Sequence, residues 1–215
     1  MDEPKVNDPN SVTNPTDVSR QSERELVITR TFDVPAHLVF QAWTTPDLLM
    51  HWWAPKSFGI TFISCEADVR TGGTYRFVFG HPASDQPMAF VGRYLEVTPP
   101  TRLVWTNEEG EDGSVTTVTL TEKHGKTLLV LSDLYPSKDA LDAAIASGSQ
   151  GAYPEQFEEL DTLLAALRAG MAGNKGAEIQ ISRPLRRGGW SANHPRRPMR
   201  LALSRRRHGG DMGER

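Results

Sequence analysis

The 215-residue chain reads as an α+β domain, a seven-stranded curved antiparallel sheet wrapped around a long C-terminal helix, with two short helices after the first strand. Three observations predict this class. Between residues 58 and 133 the hydropathy alternates with a period of two and is interrupted by turn-forming clusters, and hairpin-length connections make neighbouring strands antiparallel. One more β-branched segment, followed by two proline-marked helix starts, precedes this block. An amphipathic stretch follows it, long enough to cover one face of the sheet, which an antiparallel sheet with one solvated face requires.

The elements follow in order. Residues 25–32 (ELVITRTF) alternate Leu26, Ile28 and Phe32 against Val27 and Thr29, with the period broken at Arg30, and their β-branched content favours a strand. Pro35 opens a helix in which Val39, Ala42 and Trp43 form one apolar stripe. Thr45, Pro46 and Asp47 mark a second start, with Thr45 as N-cap and an acid near the positive helix end; this helix spans 47–53 and stops before Pro55. Strands are expected at 60–69, 74–79, 88–97, 102–106, 115–121 and 127–132. The turns between them fall at 71–73, 85–87, 98–100, 109–113 and 123–125. Residues 137–147 form a weak helix that ends at Gly148. In the strong helix 154–169, Phe157, Leu160, Leu164 and Leu167 recur on one face, acids fill the first turn, and Gly170 takes the C′ position.

Composition bounds the rest. With 24 basic and 27 acidic residues the net charge is −3, but the sign is unevenly distributed: residues 1–170 carry 13 basic and 24 acidic side chains, and residues 171–215 carry 11 and 3. Residues 1–22, rich in Pro and Asn, are expected to be a disordered arm, residues 23–170 the folded domain, and residues 171–215 a basic disordered tail. No apolar run reaches the roughly 18 residues of a membrane span, and no secretory signal opens the chain. Cys65 is the single cysteine, which excludes a disulfide framework and a cysteine zinc site and sets the cytoplasm as the expected compartment. The acidic domain argues against nucleic acid as its partner. Only the Arg-rich tail keeps that option open, and its composition also fits an altered reading frame of a GC-rich gene, a non-functional extension being favoured over a binding arm.

Little in the sequence reads as catalytic. His51, beside Trp52 and Trp53, and Tyr75 are the weak candidates for acid–base work, and His51 has no evident partner to orient it. The Thr71-Gly72-Gly73 turn lacks the Lys-Ser/Thr of a phosphate loop. Glu66 with Asp68, and Glu122 with Asp133 across strands, are carboxylate pairs that read as acids on the solvated sheet face. No metal-ligand spacing stands out, and Cys65 has no basic neighbour to activate it. The aromatic residues are more informative. Tyr75, Phe77 and Phe79 share one strand face, Leu103 and Trp105 another, and Phe62 and Phe90 can join them. Trp52 and Trp53 point about 100° apart on a helix, so that one packs inward, the other closes a rim, and the two cannot face one partner. Of the polar candidates, Tyr75, Tyr94 and Arg76 would orient a ligand according to register.

Three segments in register, VFQAWTTPDLLMHWWAP (39–55), DVRTGGTYRF (68–77) and GRYLEVTPPTRLVWT (92–106), resemble the bacterial homologues of the activator of heat-shock protein 90 ATPase C-terminal domain. That family lies within the START-like, helix-grip superfamily known as SRPBCC. The resemblance runs from about Arg24 to Leu167, with Ala54 where glycine is common and Gly151-Ala152-Tyr153-Pro154 where a Gly-Trp pair tends to stand. It implies a deep cavity between the last helix and the concave sheet. Members bind lipids, polyketides and other hydrophobic molecules, and a minority are cyclases, aromatases or hydrolases. Carried onto this chain, the expected ligand-contacting residues are Trp43, Trp53, Phe62, Tyr75, Phe77, Phe90 and Trp105, with Tyr153, Phe157, Leu160 and Leu164 from the last helix. The expected function is binding of a hydrophobic or aromatic small molecule without cofactor or metal. Two alternatives stand beside it: a polyketide cyclase or aromatase using the same pocket, and a cochaperone docking on a chaperone ATPase, although eukaryotic members use a separate N-terminal domain for that contact. Homodimer formation is left open.

Overall fold

A computed structural model describes residues 14–108 and 113–173. Eight strands form one antiparallel sheet: β1 (Asp17–Arg20), β2 (Glu25–Phe32), β3 (Thr61–Ala67), β4 (Thr74–His81), β5 (Ser84–Thr98), β6 (Arg102–Thr106), β7 (Val115–Lys123) and β8 (Lys126–Leu134). The spatial order is β1-β2-β8-β7-β6-β5-β4-β3. Helices α1 (Ala36–Thr44) and α2 (Pro46–Trp52) connect β2 to β3, and α3 (Lys138–Ser147) and α4 (Ala152–Gly173) follow β8. Helix α4 packs against α1, α2 and β2. Its Phe157, Leu160 and Leu164 are fully buried in one core with Ile28, Phe32, Leu103, Leu129 and Leu131 of the sheet.

The eighth strand is the main departure from expectation. Residues 17–20 fall within the span read as a disordered arm, yet they pair with β2 from Asp17↔Thr29 to Arg20↔Leu26. Their composition carries no strand signal; the outer backbone groups of β2 need partners, and pairing with a neighbour overrides local preference. Side chains add to the pairing: Arg30 Nη1 donates to Thr16 Oγ1 at 2.8 Å, and Arg20 Nη1 to Asp142 Oδ1 on α3 at 2.6 Å. Arg30 also corrects the reading of β2. It keeps the period instead of breaking it and is only 6% exposed, because Asp161 of α4 accepts from its guanidinium and neutralises a charge that could not otherwise be buried.

Other boundaries shift for local reasons. The β4–β5 turn sits at Pro82-Ala83 instead of 85–87, and Pro87 falls in the irregular pairing between Phe79↔Met88 and His81↔Ser84, where no ladder bond is required of it. The β7–β8 turn is His124-Gly125, both at positive φ (53° and 73°), as a two-residue hairpin of the I′ kind demands. Helix α4 runs through Gly170 to Gly173; Gly170 is not its C′ residue, since a glycine inside a helix costs only about 1 kcal/mol and Met171 and Ala172 continue it. The tail expected at 171–215 lies, beyond residue 173, outside the described residues. Register shifts at Phe62/Ser64 and Tyr94/Glu96 bend β3 and β5, and β5 borders the site through Met88, Phe90 and Tyr94. Among the described residues no helix is long and apolar enough to cross a membrane.

Candidate functional site: an aromatic cavity with a buried polar chain

Strand alternation and α4 together enclose a cavity of about 430 Å³. Its apolar wall contains Trp43, Trp52, Trp53, Trp105 and Phe157. A second recess of about 50 Å³, lined by Tyr75, Phe77, Tyr94 and Leu103, shares Trp43, Trp53, Phe90, Trp105 and Asn107 with it. A different hollow of about 600 Å³ is lined by the exposed charges Glu66, Asp68, Arg76 and Glu108. Glu66 and Asp68 are the pair that the sequence places on the solvated face.

Trp43 is the hub of the wall. Its ring centroid lies 4.8 Å from Trp52, 5.5 Å from Trp53 and 5.9 Å from Trp105. The consecutive tryptophans therefore do meet one partner, contrary to the expectation from helical geometry. Trp52 is the last residue of α2 and Trp53 its C-cap, and the large Trp43 indole reaches both. Their burial still differs. Trp52 is 1% exposed, with Nε1 donating to the Ala42 carbonyl at 3.1 Å. Trp53 is half-buried and lines both recesses.

Of the other residues expected to contact ligand, Tyr75, Phe77, Phe90, Tyr153 and Phe157 border one or both recesses. Phe62 lies against Phe77 and Phe79 (5.9 and 4.2 Å between centroids) and borders neither. Leu160 and Leu164 are core residues behind the wall. His51 is exposed, with Nδ1 2.6 Å from the Asp47 carbonyl, and is outside both recesses. Arg76 is exposed, whereas Tyr75 and Tyr94 point inward.

Of the polar side of the cavity the sequence marked the tyrosines but not the residues that join them. A hydrogen-bonded chain crosses it from β4 to α4. The Tyr75 hydroxyl bonds the Thr106 carbonyl (3.0 Å) and Asn107 Oδ1 (3.1 Å). Asn107 Nδ2 donates to Ser114 Oγ (2.8 Å) and Thr116 Oγ1 (3.0 Å). Thr116 Oγ1 donates to Asp133 Oδ1 (2.5 Å), and the Tyr153 hydroxyl donates to Asp133 Oδ2 (2.7 Å). Asp133, expected on the solvated face opposite Glu122, is 4% exposed. Its cross-strand partner is Thr116, and Glu122 instead caps α1 by accepting from the Ala36 amide (2.9 Å). The signal was present in the sequence. Thr127, Leu129, Leu131 and Asp133 alternate along β8 as inward residues, and only the residue type argued otherwise.

Burial raises the Asp133 carboxyl above the ordinary carboxylate range, against the opposing hydrogen bonds from Thr116 and Tyr153. Burial, and then the Asp133 charge, raise the Tyr153 hydroxyl well above its usual value and Tyr135 to about 12. The Cys65 thiol is pushed up to about 11, mainly by burial, which leaves it protonated and unreactive. Because the folded-state pKa of Asp133 lies above its unfolded value, this group favours the native state fully below the unfolded pKa, and that contribution is lost as pH rises through the folded one. Urea unfolding of the wild type and Asp133→Asn at stepped pH is expected to show the wild type gaining stability relative to the variant on acidification from neutrality. A difference independent of pH would contradict the raised value.

Two further polar atoms in the wall have no hydrogen-bond partner. They are the donor Trp43 Nε1 and the acceptor Gln150 Oε1. Gln150 cannot be relieved by turning its amide over, because its Nε2 already donates to the Ile145 carbonyl at 3.1 Å. Among the described residues no cluster of three or more His, Cys, Asp or Glu side chains is placed to hold a metal ion.

Residues 33–165 match the family model described as Activator of Hsp90 ATPase homolog 1-like protein. A crystal structure of a protein from Rhodobacter sphaeroides is 27% identical, with a TM-score of 0.65, covering 71% of this chain and 99% of its own. A protein from Nitrosomonas europaea shares the fold at 24% identity and a TM-score of 0.63, covering 70% of this chain and 99% of its own. One from Chromobacterium violaceum is 27% identical, with a TM-score of 0.54, over 65% and 96%. No curated protein matches the sequence.

Proposed function

As the chain belongs to the Activator of Hsp90 ATPase homolog 1-like family, we propose that it binds a hydrophobic or aromatic small molecule in the cavity between α4 and the sheet. One observation carries the reading. A volume of about 430 Å³ walled by tryptophans remains open beside a fully formed core, and it falls within the range of small-molecule sites, about 300–1,000 Å³. The tryptophan wall supplies apolar contact, and the chain from Tyr75 to Tyr153 supplies fixed polar groups. A second reading, acid–base chemistry on the bound molecule, is favoured by the buried Asp133 carboxyl beside the Tyr153 hydroxyl.

Titration with the neutral fluorophore N-phenyl-1-naphthylamine tests the binding reading. Saturable one-to-one binding is expected, and Trp53→Ala, which removes a half-buried ring with little cost to the core, is expected to weaken it about fivefold or more. Non-saturable uptake, or binding indifferent to Trp53→Ala, would count against the cavity as the site.

A further inference from the structure

We propose that the molecule held in this cavity is an organic amine in its protonated form, carried on an aromatic or alicyclic body, with the ammonium group seated on the Asp133 carboxylate. This rests on the reading that the cavity binds a small molecule, and it specifies the ligand's chemistry. Asp133 is the only side chain with a formal charge among the described residues lining the cavity, and no Lys, Arg or His faces it there. Its two oxygens accept from neutral hydroxyls, Thr116 and Tyr153, so its hydrogen bonds are provided for but its charge is not. A buried carboxylate without a counter-ion is costly, and a ligand cation supplies what the wall lacks.

An independent feature agrees. The rest of the wall is rich in indoles, Trp43, Trp53 and Trp105, and indole is the aromatic side chain that best stabilises a cation. An anionic ligand would meet Asp133 with no balancing charge. A neutral alcohol would leave the charge uncompensated.

The test compares 2-(naphthalen-2-yl)ethylamine with 2-(naphthalen-2-yl)ethanol, matched in shape and differing in charge, by isothermal titration calorimetry at neutral pH. The amine is expected to bind about tenfold tighter or more. Asp133→Asn is expected to remove that preference while holding the alcohol within about threefold. Tyr153→Phe, which frees a carboxylate lone pair and keeps the charge, is expected to retain or increase the preference; it serves where Asp133→Asn does not fold. An alcohol that binds as tightly as the amine overturns the proposal, as does a preference that survives Asp133→Asn or disappears in Tyr153→Phe. If the naphthylamine fluorophore saturates while neither naphthyl compound binds, the amine assignment falls and the cavity reading stands. If none of the three binds, both fall.

Discussion

Trp52→Ala is expected to destabilise the protein by about 4 kcal/mol, toward the upper end of what large-to-small core substitutions cost. The indole is 1% exposed, lies tilted against Trp43 and edge-on to Trp53 with centroids 4.8 and 5.2 Å away, and holds the end of α2 to α1 through its hydrogen bond to Ala42. Its removal forfeits the transfer free energy of a large ring and leaves a void beside a cavity already present, where collapse of the neighbours gives little relief. The adjacent Trp53→Ala removes the same atoms from a half-buried position and should cost less than half as much. Urea unfolding of the two variants measures the difference. Equal costs would mean that the two rings are not divided between core and rim as described.

Gly92→Ala should cost about 3 kcal/mol or more and damage the site as well as the fold. A Cβ at position 92 would lie 1.9 Å from the Thr106 carbonyl oxygen and 2.7 Å from Tyr75 Cε1. The first atom is backbone in the adjoining strand β6 and cannot yield without disturbing the β5–β6 pairing. The second belongs to the ring whose hydroxyl anchors the polar chain at Thr106 and Asn107. Gly125→Ala is the matched control: nothing lies within 4 Å of its Cβ, though its φ is +73°, so it should cost only the left-handed penalty, about 1–2 kcal/mol. Comparable losses in the two variants, or a Gly92→Ala protein with undiminished fluorophore binding, would contradict the close approach.

These two expectations also mark what the sequence could disclose. Period-two alternation placed β4, β6, β7 and β8 with their inward aromatic and aliphatic residues, because burial of one sheet face writes itself directly into the order of side chains. It failed where residue type outweighed position. Arg30 and Asp133 both occupy inward positions of strands whose other inward members, Thr127 apart, are apolar. Each was read as an exception because the partners that permit its burial, Asp161 and Tyr153, lie on α4, more than a hundred residues away for Arg30 and twenty for Asp133. β1 was missed for a related reason, since its pairing is decided by the open edge of β2 and not by its own composition.

The site divides in the same way. Its tryptophan wall was legible, because Trp43 and Trp105 stand on stripes that local periodicity predicts and Trp53 follows Trp52 as the ring expected to close the rim. Of the polar chain only the ends, Tyr75 and Tyr153, were legible; Asn107, Thr116 and Asp133 were not, because the chain draws one or two residues from each of several elements and its connectivity depends on register across four strands. His51 attracted notice through its proximity in sequence to Trp52 and Trp53. In the folded chain it turns to the Asp47 carbonyl four residues back, at the surface of α2.

The measurement that bears most directly on the central claim, that this cavity is occupied by an organic molecule, is native mass spectrometry of the full chain purified gently from its own host, before and after extraction with organic solvent. A one-to-one adduct is expected that extraction removes and that Trp53→Ala protein carries at reduced occupancy. The bare protein mass in every preparation, unchanged by extraction, would contradict it.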